Sequence, residues 1–406
     1  MKSDLDRLIQ ERGFGGIVVM GEVEGNHALR YMTNSARITH GIVVKKPGEQ
    51  PVIIVNGMER DEAAKSGLPV RTMAEFGYYE MIKETGSPFE GQVRLLAKIL
   101  DEYGIKGQVS FYGVGDPGQS YVLLNRLAAE KPDIVPTGEP ETTIFDEAYE
   151  TKDDLELEAM RSVAERTNAA MGETLGFIKS HRVEDGRLVK SDGSPLTVGD
   201  VKTFLRARLN AANLTDDGET IFAIGRDAGV PHSRGEDPDV LELGKSIVFD
   251  LFPRDMTTGY YHDMTRTWCL GYAPDEVQRA YDEVMHIFNN AMEALKVGEA
   301  CSVYQEMTCD FFEERGHPTI RSNPATNDGY VHSLGHGLGL QIHARPRLSS
   351  ISTDVIKPRQ VFSVEPGLYY PERGFGVRIE DTVYVDDDGE IHSLTPFPKD
   401  LVIEVG

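Results

Sequence analysis

Two segments in the C-terminal half of the chain each have the pattern of a β-hairpin with an acidic residue on both arms. In the first, residues 245–252 read as a buried strand and residues 260–268 as the returning strand. A turn centred on residues 256–257 would place Asp250 opposite Asp263. Directly opposed residues have Cβ atoms about 4.5–5.5 Å apart, and like charges there destabilise a sheet. The pair therefore predicts a bound cation.

The same construction recurs further along the chain. Residues 361–370 and 375–385 read as two strands, and a turn centred on residues 372–373 would place Glu365 opposite Glu380. Either acidic pair alone is more typical of a solvated hairpin face. Two such pairs in one chain, with a histidine-rich segment between them, favour a shared metal site instead.

That histidine-rich segment covers residues 330–343 and contains three histidines. His336 is flanked by glycines, which let the backbone bend and approach other strands closely; these are Gly335, Gly337 and Gly339. We therefore expect His336 to be the fifth ligand. His332 and His343 would face the same cavity as uncoordinated acid, base or hydrogen-bonding groups.

Four carboxylates and one imidazole brought together would carry about four negative charges, which protein alone cannot stabilise but two divalent cations neutralise. The expected cofactors are two divalent metal ions, Mn²⁺ or Co²⁺, with Zn²⁺ and Fe²⁺ as alternatives, because this ligand set suits all four. Two ions about 3.5–4 Å apart would share a water, lower its pKa to give a bridging hydroxide, and polarise a scissile carbonyl. Glu365 is the candidate for moving the proton.

These motifs together carry a family resemblance. The chain resembles the pita-bread (creatinase/methionine aminopeptidase-like) metallopeptidases, and within them the branch of Xaa-Pro dipeptidase (prolidase) and Xaa-Pro aminopeptidase (aminopeptidase P). The motifs that carry the resemblance occupy residues 250–267, 332–343, 364–369 and 376–381, with a further match at 224–232. All five ligand positions of that family are filled here, by Asp250, Asp263, His336, Glu365 and Glu380.

The resemblance also implies roles for residues outside the ligand set. His343 and His232 would stabilise the tetrahedral intermediate or hold the substrate, and His332 would line the substrate pocket. Arg378 would act beside the metal ligands or at the substrate; an ordinary strand arginine paired with an acidic neighbour is the alternative. Thirteen positions separate Asp250 from Asp263, two more than is usual in the family. An even insertion preserves strand parity, so we expect a longer loop and an intact ligand pair.

The expected fold is α+β. The resemblance implies a C-terminal pita-bread catalytic domain over residues 148–406 and a smaller N-terminal α/β creatinase-like domain over residues 1–147. In the first part, helix-like segments alternate with apolar runs at residues 16–20, 41–44, 52–55 and 109–112. In the second part, helical spacing predicts helices from about residue 152 and at about 198–212, 275–297 and 301–315.

Composition restricts the partners and the compartment. With 42 basic and 66 acidic residues the net charge is −24, so we expect nucleic acid and anionic membrane surfaces to be repelled. Residues 1–7 lack the apolar run of a signal peptide, and no apolar stretch approaches the length of a bilayer span. Three cysteines without metal-site spacing favour a reducing cytoplasm. The family resemblance implies a homodimer.

The resemblance implies hydrolysis of the bond between a single N-terminal residue and proline. A prolyl bond is a tertiary amide without an N–H, so peptidases that bind this hydrogen are poorly suited to it. Whether the substrate is a dipeptide or a longer peptide stays open between prolidase and aminopeptidase P. The alternative function is a hydrolase or lyase of the same fold that keeps the metals but acts on a small non-peptide compound.

Overall fold

The computed structural model describes residues 4–216 and 220–406, so the first three residues of the N-terminal stretch 1–7 lie outside the described residues. The chain folds into two compact units. The first comprises the chain up to Tyr149 together with Thr257–Gly259, and the second comprises Glu150–Met256 and Tyr260–Gly406. The sequence-based boundary after residue 147 stays a prediction. No helix in the described ranges is long and apolar enough to cross a membrane.

The first unit is built around a six-stranded mixed sheet with the order β4-β3-β2-β1-β5-β6. Its strands are β1 (Gly16–Glu22), β2 (His40–Lys45), β3 (Val52–Val55), β4 (Val70–Thr72), β5 (Gly107–Gly113) and β6 (Ile134–Thr137). Its helices are α1 (Leu5–Glu11), α2 (His27–Met32), α3 (Arg60–Ala64), α4 (Tyr78–Thr85), α5 (Pro88–Glu102), α6 (Pro117–Glu130) and α7 (Ile144–Glu150), the last of which ends at the unit boundary. All four predicted apolar runs are strands of this sheet, which confirms the α/β interpretation of this part.

The second unit contains four long helices and the remaining strands. The helices are α8 (Asp154–Lys179), α9 (Val198–Ala211), α10 (Asp275–Ala294) and α11 (Cys301–Glu313). The strands that contribute to the site are β10 (Ile221–Ile224), β11 (Ser246–Leu251), β13 (Met264–Leu270), β14 (Gly335–Gly337), β15 (Ala344–Leu348), β16 (Val361–Val364), β17 (Gly367–Tyr370), β18 (Phe375–Arg378) and β19 (Asp381–Val385). Shorter strands are β7 (Arg182–Glu184), β8 (Arg187–Val189), β9 (Leu214–Thr215), β12 (Arg254–Asp255), β20 (Ile391–Ser393) and β21 (Val402–Ile403).

The four predicted helices of this unit are confirmed, and local chemistry explains where one of them begins. At the start of α8 the Asp153 carboxylate accepts the Glu156 N–H at 2.9 Å, and the Glu156 carboxylate accepts the Asp153 N–H at 2.8 Å. This reciprocal capping satisfies two donors that the first helical turn leaves without partners. The helix begins where these two acids stand in the sequence.

Two sheets of the second unit carry the predicted site residues. A four-stranded sheet has the order β10-β11-β13-β21, and a five-stranded sheet has the order β15-β14-β16-β19-β20. Apolar faces of α10 and α11 belong to one buried cluster with residues of β16 to β19, among them Phe288, Phe312, Phe362 and Val377. Burial of this many large apolar side chains makes the strands that carry the site residues rigid.

Candidate functional site

The first acidic hairpin differs from its predicted register. Asp250 pairs with Thr265 and Leu251 with Met264, so direct opposition of Asp250 and Asp263 is wrong. Asp263 precedes β13 and lies diagonally from Asp250, two residues along the partner strand. Side chains alternate between the faces of a strand, so an offset of two keeps both carboxylates on one face.

The reason for the shift is the structure of the connection between the two strands. Residues Arg254–Asp255 form β12, which pairs with β9, and the buried Asp255 carboxylate receives an ion pair from Arg166 at 2.8 Å. The connection is therefore a longer and partly ordered loop, as the thirteen-residue spacing predicts. It moves the centre of the hairpin by one residue, between residues 257 and 258.

The second acidic hairpin has the predicted register. Val364 pairs with Asp381 on one side of the acidic pair, and Gly367 pairs with Arg378 on the other side. A continuous register between these two pairs places Glu365 opposite Glu380. Glu380 also contacts the first hairpin, because its backbone N–H donates a hydrogen bond to the Thr265 carbonyl at 3.1 Å. The two hairpins therefore bring their acids into one place.

His336 lies in β14, and its position depends on the neighbouring glycines. A Cβ on Gly335 would lie 2.0 Å from the Ser363 carbonyl oxygen, and one on Gly337 would lie 2.0 Å from the Arg345 carbonyl oxygen. Only glycine permits these close approaches, as the sequence predicts for this segment. The ring of His336 contacts the Gly337 carbonyl through Nδ1 at 3.2 Å, which leaves Nε2 directed at the acids.

The Nε2 atom of His336 lies 3.6 Å from Asp263 Oδ2 and 3.3 Å from Glu365 Oε1. Asp263, His336 and Glu380 each offer one ligand atom, and these three atoms lie within 4.8 Å of one another. Asp250 and Glu365 line the same cavity. The structure thus brings together all five residues that the sequence assigns to a metal site.

Three carboxylate oxygens of this set are buried and have no hydrogen-bond partner among the described residues: Asp250 Oδ1, Asp263 Oδ1 and Glu380 Oε1. Burial raises the pKa of Asp263 and Glu380 well above their ordinary values, and the neighbouring carboxylates add to the rise. Burial also raises the pKa of Asp250, against the effect of Arg378. Buried oxygens without donors, next to an imidazole nitrogen, are the donor set that hard and borderline divalent cations bind. The residues fit a metal site.

Glu365 behaves differently from the other three acids. Burial opposes its charge, but the hydrogen bond from His336 and the positive charges around it lower the pKa of Glu365 to about 2. The same contact outweighs burial at His336 and raises the pKa of its ring. Ser363 adds a second contact, because its hydroxyl accepts the His336 backbone N–H at 3.1 Å and donates to Glu365 Oε1 at 3.2 Å.

Arg378 is completely engaged inside the protein. Its Nη2 donates to Asp250 Oδ2 at 2.6 Å, its Nη1 to the Tyr369 hydroxyl at 2.8 Å, and its Nε to Thr265 Oγ1 at 3.1 Å. The Thr265 hydroxyl donates in turn to Glu380 Oε2 at 2.8 Å. These contacts hold two candidate ligands, Asp250 directly and Glu380 through Thr265, while the role of Arg378 at the ligands or at the substrate stays a prediction.

The five candidate ligands open onto a cavity of about 1040 Å³ that is also lined by His232, His332, His343 and Arg378. His332 contacts the Tyr369 hydroxyl through Nε2 at 2.9 Å, and the ring of His343 lies 4.4 Å from that of His336. Burial lowers the pKa of His332, and burial together with the charge of His336 lowers the pKa of His343 to about 4. Both shifts favour the neutral form of these two rings.

Sequence reasoning missed three polar residues of the site: Thr265, Ser363 and Tyr369. All three are buried, and each bonds to a predicted site residue. Parity is a signal that could have found them. Thr265 is two residues after Asp263, Ser363 two residues before Glu365 and Tyr369 four residues after Glu365, so each has the parity of a predicted ligand.

Comparison with known proteins agrees with this geometry. Residues 158–387, more than half of the chain, match the model of metallopeptidase family M24. An Xaa-Pro dipeptidase of Pyrococcus furiosus is 37% identical over 185 residues, which is 45% of this chain and 49% of that protein. The putative dipeptidase YkvY of Bacillus subtilis is 33% identical over 45% of this chain and 47% of its own length. The chain thus aligns with about half the length of these curated relatives.

Solved structures match over nearly the full length of the chain. An Xaa-Pro dipeptidase from Bacillus anthracis superposes with a TM-score of 0.77 at 25% identity, covering 99% of this chain and 98% of that one. An X-Pro aminopeptidase from Thermotoga maritima superposes with a TM-score of 0.76 at 22% identity, covering 98% and 100%. The fold is therefore an N-terminal α/β sheet domain followed by a pita-bread domain, as the motifs imply. With the family model matched and the donor set assembled, the chain belongs to metallopeptidase family M24.

Proposed function

We propose that this protein is a metal-dependent peptidase that hydrolyses the bond between an N-terminal residue and proline, in dipeptides or at the start of longer peptides. One observation carries the proposal. Three buried carboxylate oxygens without hydrogen-bond partners among the described residues belong to acids lining a cavity that four histidines also line. The names of the matched relatives, which are Xaa-Pro dipeptidases and aminopeptidases, support proline as the second residue.

Two divalent ions would be held by the five candidate ligands: Asp250, Asp263, His336, Glu365 and Glu380. Mn²⁺ or Co²⁺ is our first choice, with Zn²⁺ and Fe²⁺ as alternatives. When bound, such ions neutralise the acids, lower the pKa of a coordinated water and polarise a carbonyl oxygen. The family membership of the chain supports the metals, while their number and kind are part of this proposal.

Glu365 is proposed to carry the proton during hydrolysis. Its lowered pKa keeps it ionised at neutral pH, so it can accept a proton from the attacking water and pass it to the leaving proline nitrogen. Ser363 and His336 both contact Oε1 and hold the carboxylate in one orientation. A positioned base of this kind contributes about 10²- to 10⁴-fold to the rate.

The remaining cavity residues are proposed to bind the substrate. A neutral imidazole can donate a hydrogen bond to a carbonyl oxygen, and the lowered pKa of His343 favours this form. The Nδ1–H of His332 donates to the Ser333 carbonyl at 2.8 Å, so His332 is proposed to line the substrate pocket. His232 is exposed, lines the cavity and is assigned to the proline end of the substrate. Apolar side chains suited to a pyrrolidine ring line the same cavity, among them Phe252, Ile320 and Ile342.

The compartment and the partners of the enzyme are also part of this proposal. All three cysteines are buried and unpaired, as expected in a reducing compartment, so we propose a cytoplasmic protein. A second copy of the chain is the proposed partner, on the basis of the family resemblance. Nucleic acid and membranes are not proposed as partners, because the net charge of −24 opposes both.

A substrate panel tests the proposal. Purified enzyme supplied with Mn²⁺ should hydrolyse Ala-Pro at least tenfold faster than Ala-Ala or Met-Ala. His232→Ala should reduce kcat/KM for Ala-Pro by at least tenfold and leave the metal content unchanged, because His232 is assigned to the substrate. His286→Ala, which removes an exposed histidine of α10 that does not line the cavity, should change neither. Equal turnover of Ala-Ala and Ala-Pro would show that proline is not the determinant.

A further inference from the structure

One arginine holds the backbone of the candidate metal site from outside the cavity. Arg266 follows Thr265 on β13, so its side chain leaves the opposite face of the strand from Asp263 and Thr265. It is 1% exposed, and it is not among the described residues that line the cavity. Its Nη1 donates to two backbone carbonyls, that of Thr265 at 2.8 Å and that of Glu380 at 2.7 Å. An isolated β-bridge joins the two acidic hairpins at Thr265 and Glu380, so Arg266 spans that junction.

The rest of the guanidinium is fixed by the C-terminal part of the chain. Nη2 of Arg266 donates to Asp381 Oδ1 at 2.9 Å and to the Phe397 carbonyl at 2.8 Å. Its Nε donates to the Pro398 carbonyl at 3.0 Å. The other oxygen of Asp381 accepts a hydrogen bond from Lys399 Nζ at 2.7 Å, so two cations share this carboxylate. Because the planar guanidinium is held on all sides, the backbone carbonyl of the candidate ligand is held with it.

Thr382 holds the other ligand segment in the same way. Its hydroxyl is buried and donates to the Asp263 carbonyl at 2.8 Å, and its backbone N–H donates to the Thr395 hydroxyl at 3.0 Å. Asp263, His336 and Glu380 offer ligand atoms within 4.8 Å of one another. The backbone positions of Asp263 and Glu380 therefore decide the space between their carboxylates. A functional site must hold its groups within about 0.5 Å of the productive geometry.

Resting on the proposed metal centre, we propose that Arg266 and Thr382 are positioning residues, which hold the backbones of Glu380 and Asp263 at the separation that a divalent cation requires. Ionised carboxylates repel one another and would move apart if their backbones were free. A site whose ligands are already held in place binds its ion more tightly than one that must first rearrange. Residues that orient metal ligands from outside change metal affinity by about 10- to 100-fold.

Mn²⁺ binding to the chelator-treated full chain tests the proposal without any measurement of hydrolysis. The paramagnetic resonance signal of free Mn²⁺ gives the dissociation constant. Arg266→Lys keeps the positive charge beside Asp381 but replaces the planar fork with a single ammonium, so the Kd for Mn²⁺ should rise at least about tenfold. Thr382→Val keeps the shape of the side chain and removes one hydrogen bond, so the Kd should rise about threefold or more.

Two matched variants separate positioning from stability. Lys399→Met removes the second cation bound to Asp381 but leaves Arg266 in place. Thr167→Val removes a buried hydroxyl that donates to the Val163 carbonyl at 2.8 Å in α8, a helix that carries no candidate ligand. Both control variants should lower the melting temperature of the chelated protein. Both should keep the Kd for Mn²⁺ within about twofold of wild type, because neither change releases the backbone of a ligand.

The possible results separate this proposal from the metal centre itself. A Kd near that of wild type would overturn the positioning role of the residue changed, and so would an equal rise in its control variant. Either result leaves the metal centre standing. If Arg266→Lys lacks a cooperative melting transition, the comparison of Thr382→Val with Thr167→Val decides the question. Absence of Mn²⁺ binding by the wild type would overturn the metal centre and the positioning role together.

Discussion

Arg378 and Asp250 form an ion pair of 2.6 Å in which both side chains are buried. The two residues are 128 positions apart in the sequence, and the pair connects the second acidic hairpin to the first. Asp250 Oδ2 is occupied by the arginine while Oδ1 has no partner among the described residues. One oxygen of this carboxylate is thus held by the protein, and the other is left for a metal ion.

Removal of the arginine should destabilise the metal-free protein strongly. Arg378→Met leaves the buried Asp250 without its partner, which should lower the free energy of unfolding by about 3 kcal/mol or more. Tyr369→Phe removes only the hydroxyl that accepts from Arg378 Nη1 and should cost about 1 kcal/mol. Urea denaturation of both variants in the presence of a chelator measures the difference. Equal losses in the two variants would show that the ion pair contributes little.

The stability of the metal-free protein should fall as the pH rises above about 6.5. Burial raises the pKa values of Asp263 and Glu380 above their ordinary 3.8 and 4.5. At a pH between the ordinary and the raised pKa, the folded state therefore binds more protons than the unfolded state, and its stability falls as the pH rises. The raised pKa of His336 acts in the same direction above its ordinary 6.5. The lowered pKa values of His262, His332 and His343 oppose this below their ordinary 6.5, where the unfolded state binds more protons at these rings. The lowered pKa of Glu365 opposes it only below pH 4.5.

Thermal melting of the chelated protein between pH 6.5 and pH 8 checks this prediction. The melting temperature should decrease steadily with pH, and saturating Mn²⁺ should flatten the decrease because bound ions neutralise the acids. An increase of the melting temperature with pH in the chelated protein would contradict the assignment of the acids as an unsatisfied cluster.

Ser363 should affect the rate more than a buried serine elsewhere. Ser363→Ala removes the hydroxyl that joins His336 to Glu365, so kcat should fall about tenfold as the proton carrier loses its fixed orientation. Ser246→Ala is the matched control, since Ser246 is buried in β11 and accepts a backbone N–H from Gly376 at 3.3 Å. Both variants should lose about 1 kcal/mol of stability. A similar loss of kcat in both would mean that Ser363 has only a structural role.

The proposed homodimer predicts the mass of the protein in solution. Light scattering at micromolar concentration should report twice the chain mass of 45.0 kDa. Two chains of charge −24 repel each other at low ionic strength. The measurement should therefore be made at about 0.15 M salt, where charges farther apart than about 8 Å are largely screened. A mass near 45 kDa under these conditions would refute the dimer.

The local sequence pattern, meaning strand alternation and the positions of glycines, was sufficient to predict much of the site. The alternation of side chains across a strand placed Glu365 with Glu380 in the correct register and kept Asp250 and Asp263 on one face even where the register was wrong. The glycines around His336 indicated a close approach of strands, which the positions of Gly335 and Gly337 confirm. These features depend on residues near one another in the sequence, and local chemistry determines them.

Features that depend on tertiary packing could not be predicted. The exact register of the first hairpin depends on β12, which pairs with a strand about forty residues earlier and shifts the turn by one residue. The contacts of Arg378 with Asp250 and Tyr369, and of Ser363 with His336, join segments that only the assembled sheets bring together.

The most direct test of the metal centre is a titration of chelator-treated enzyme with Mn²⁺, followed by hydrolysis of Ala-Pro and by elemental analysis. Activity should be absent without metal and return to a plateau near two ions per chain. Asp263→Asn, which keeps the side-chain shape but removes one ligand charge, should need a higher Mn²⁺ concentration for half activation. Full activity of the metal-free enzyme, or active protein that contains no transition metal, would contradict the proposed metal centre.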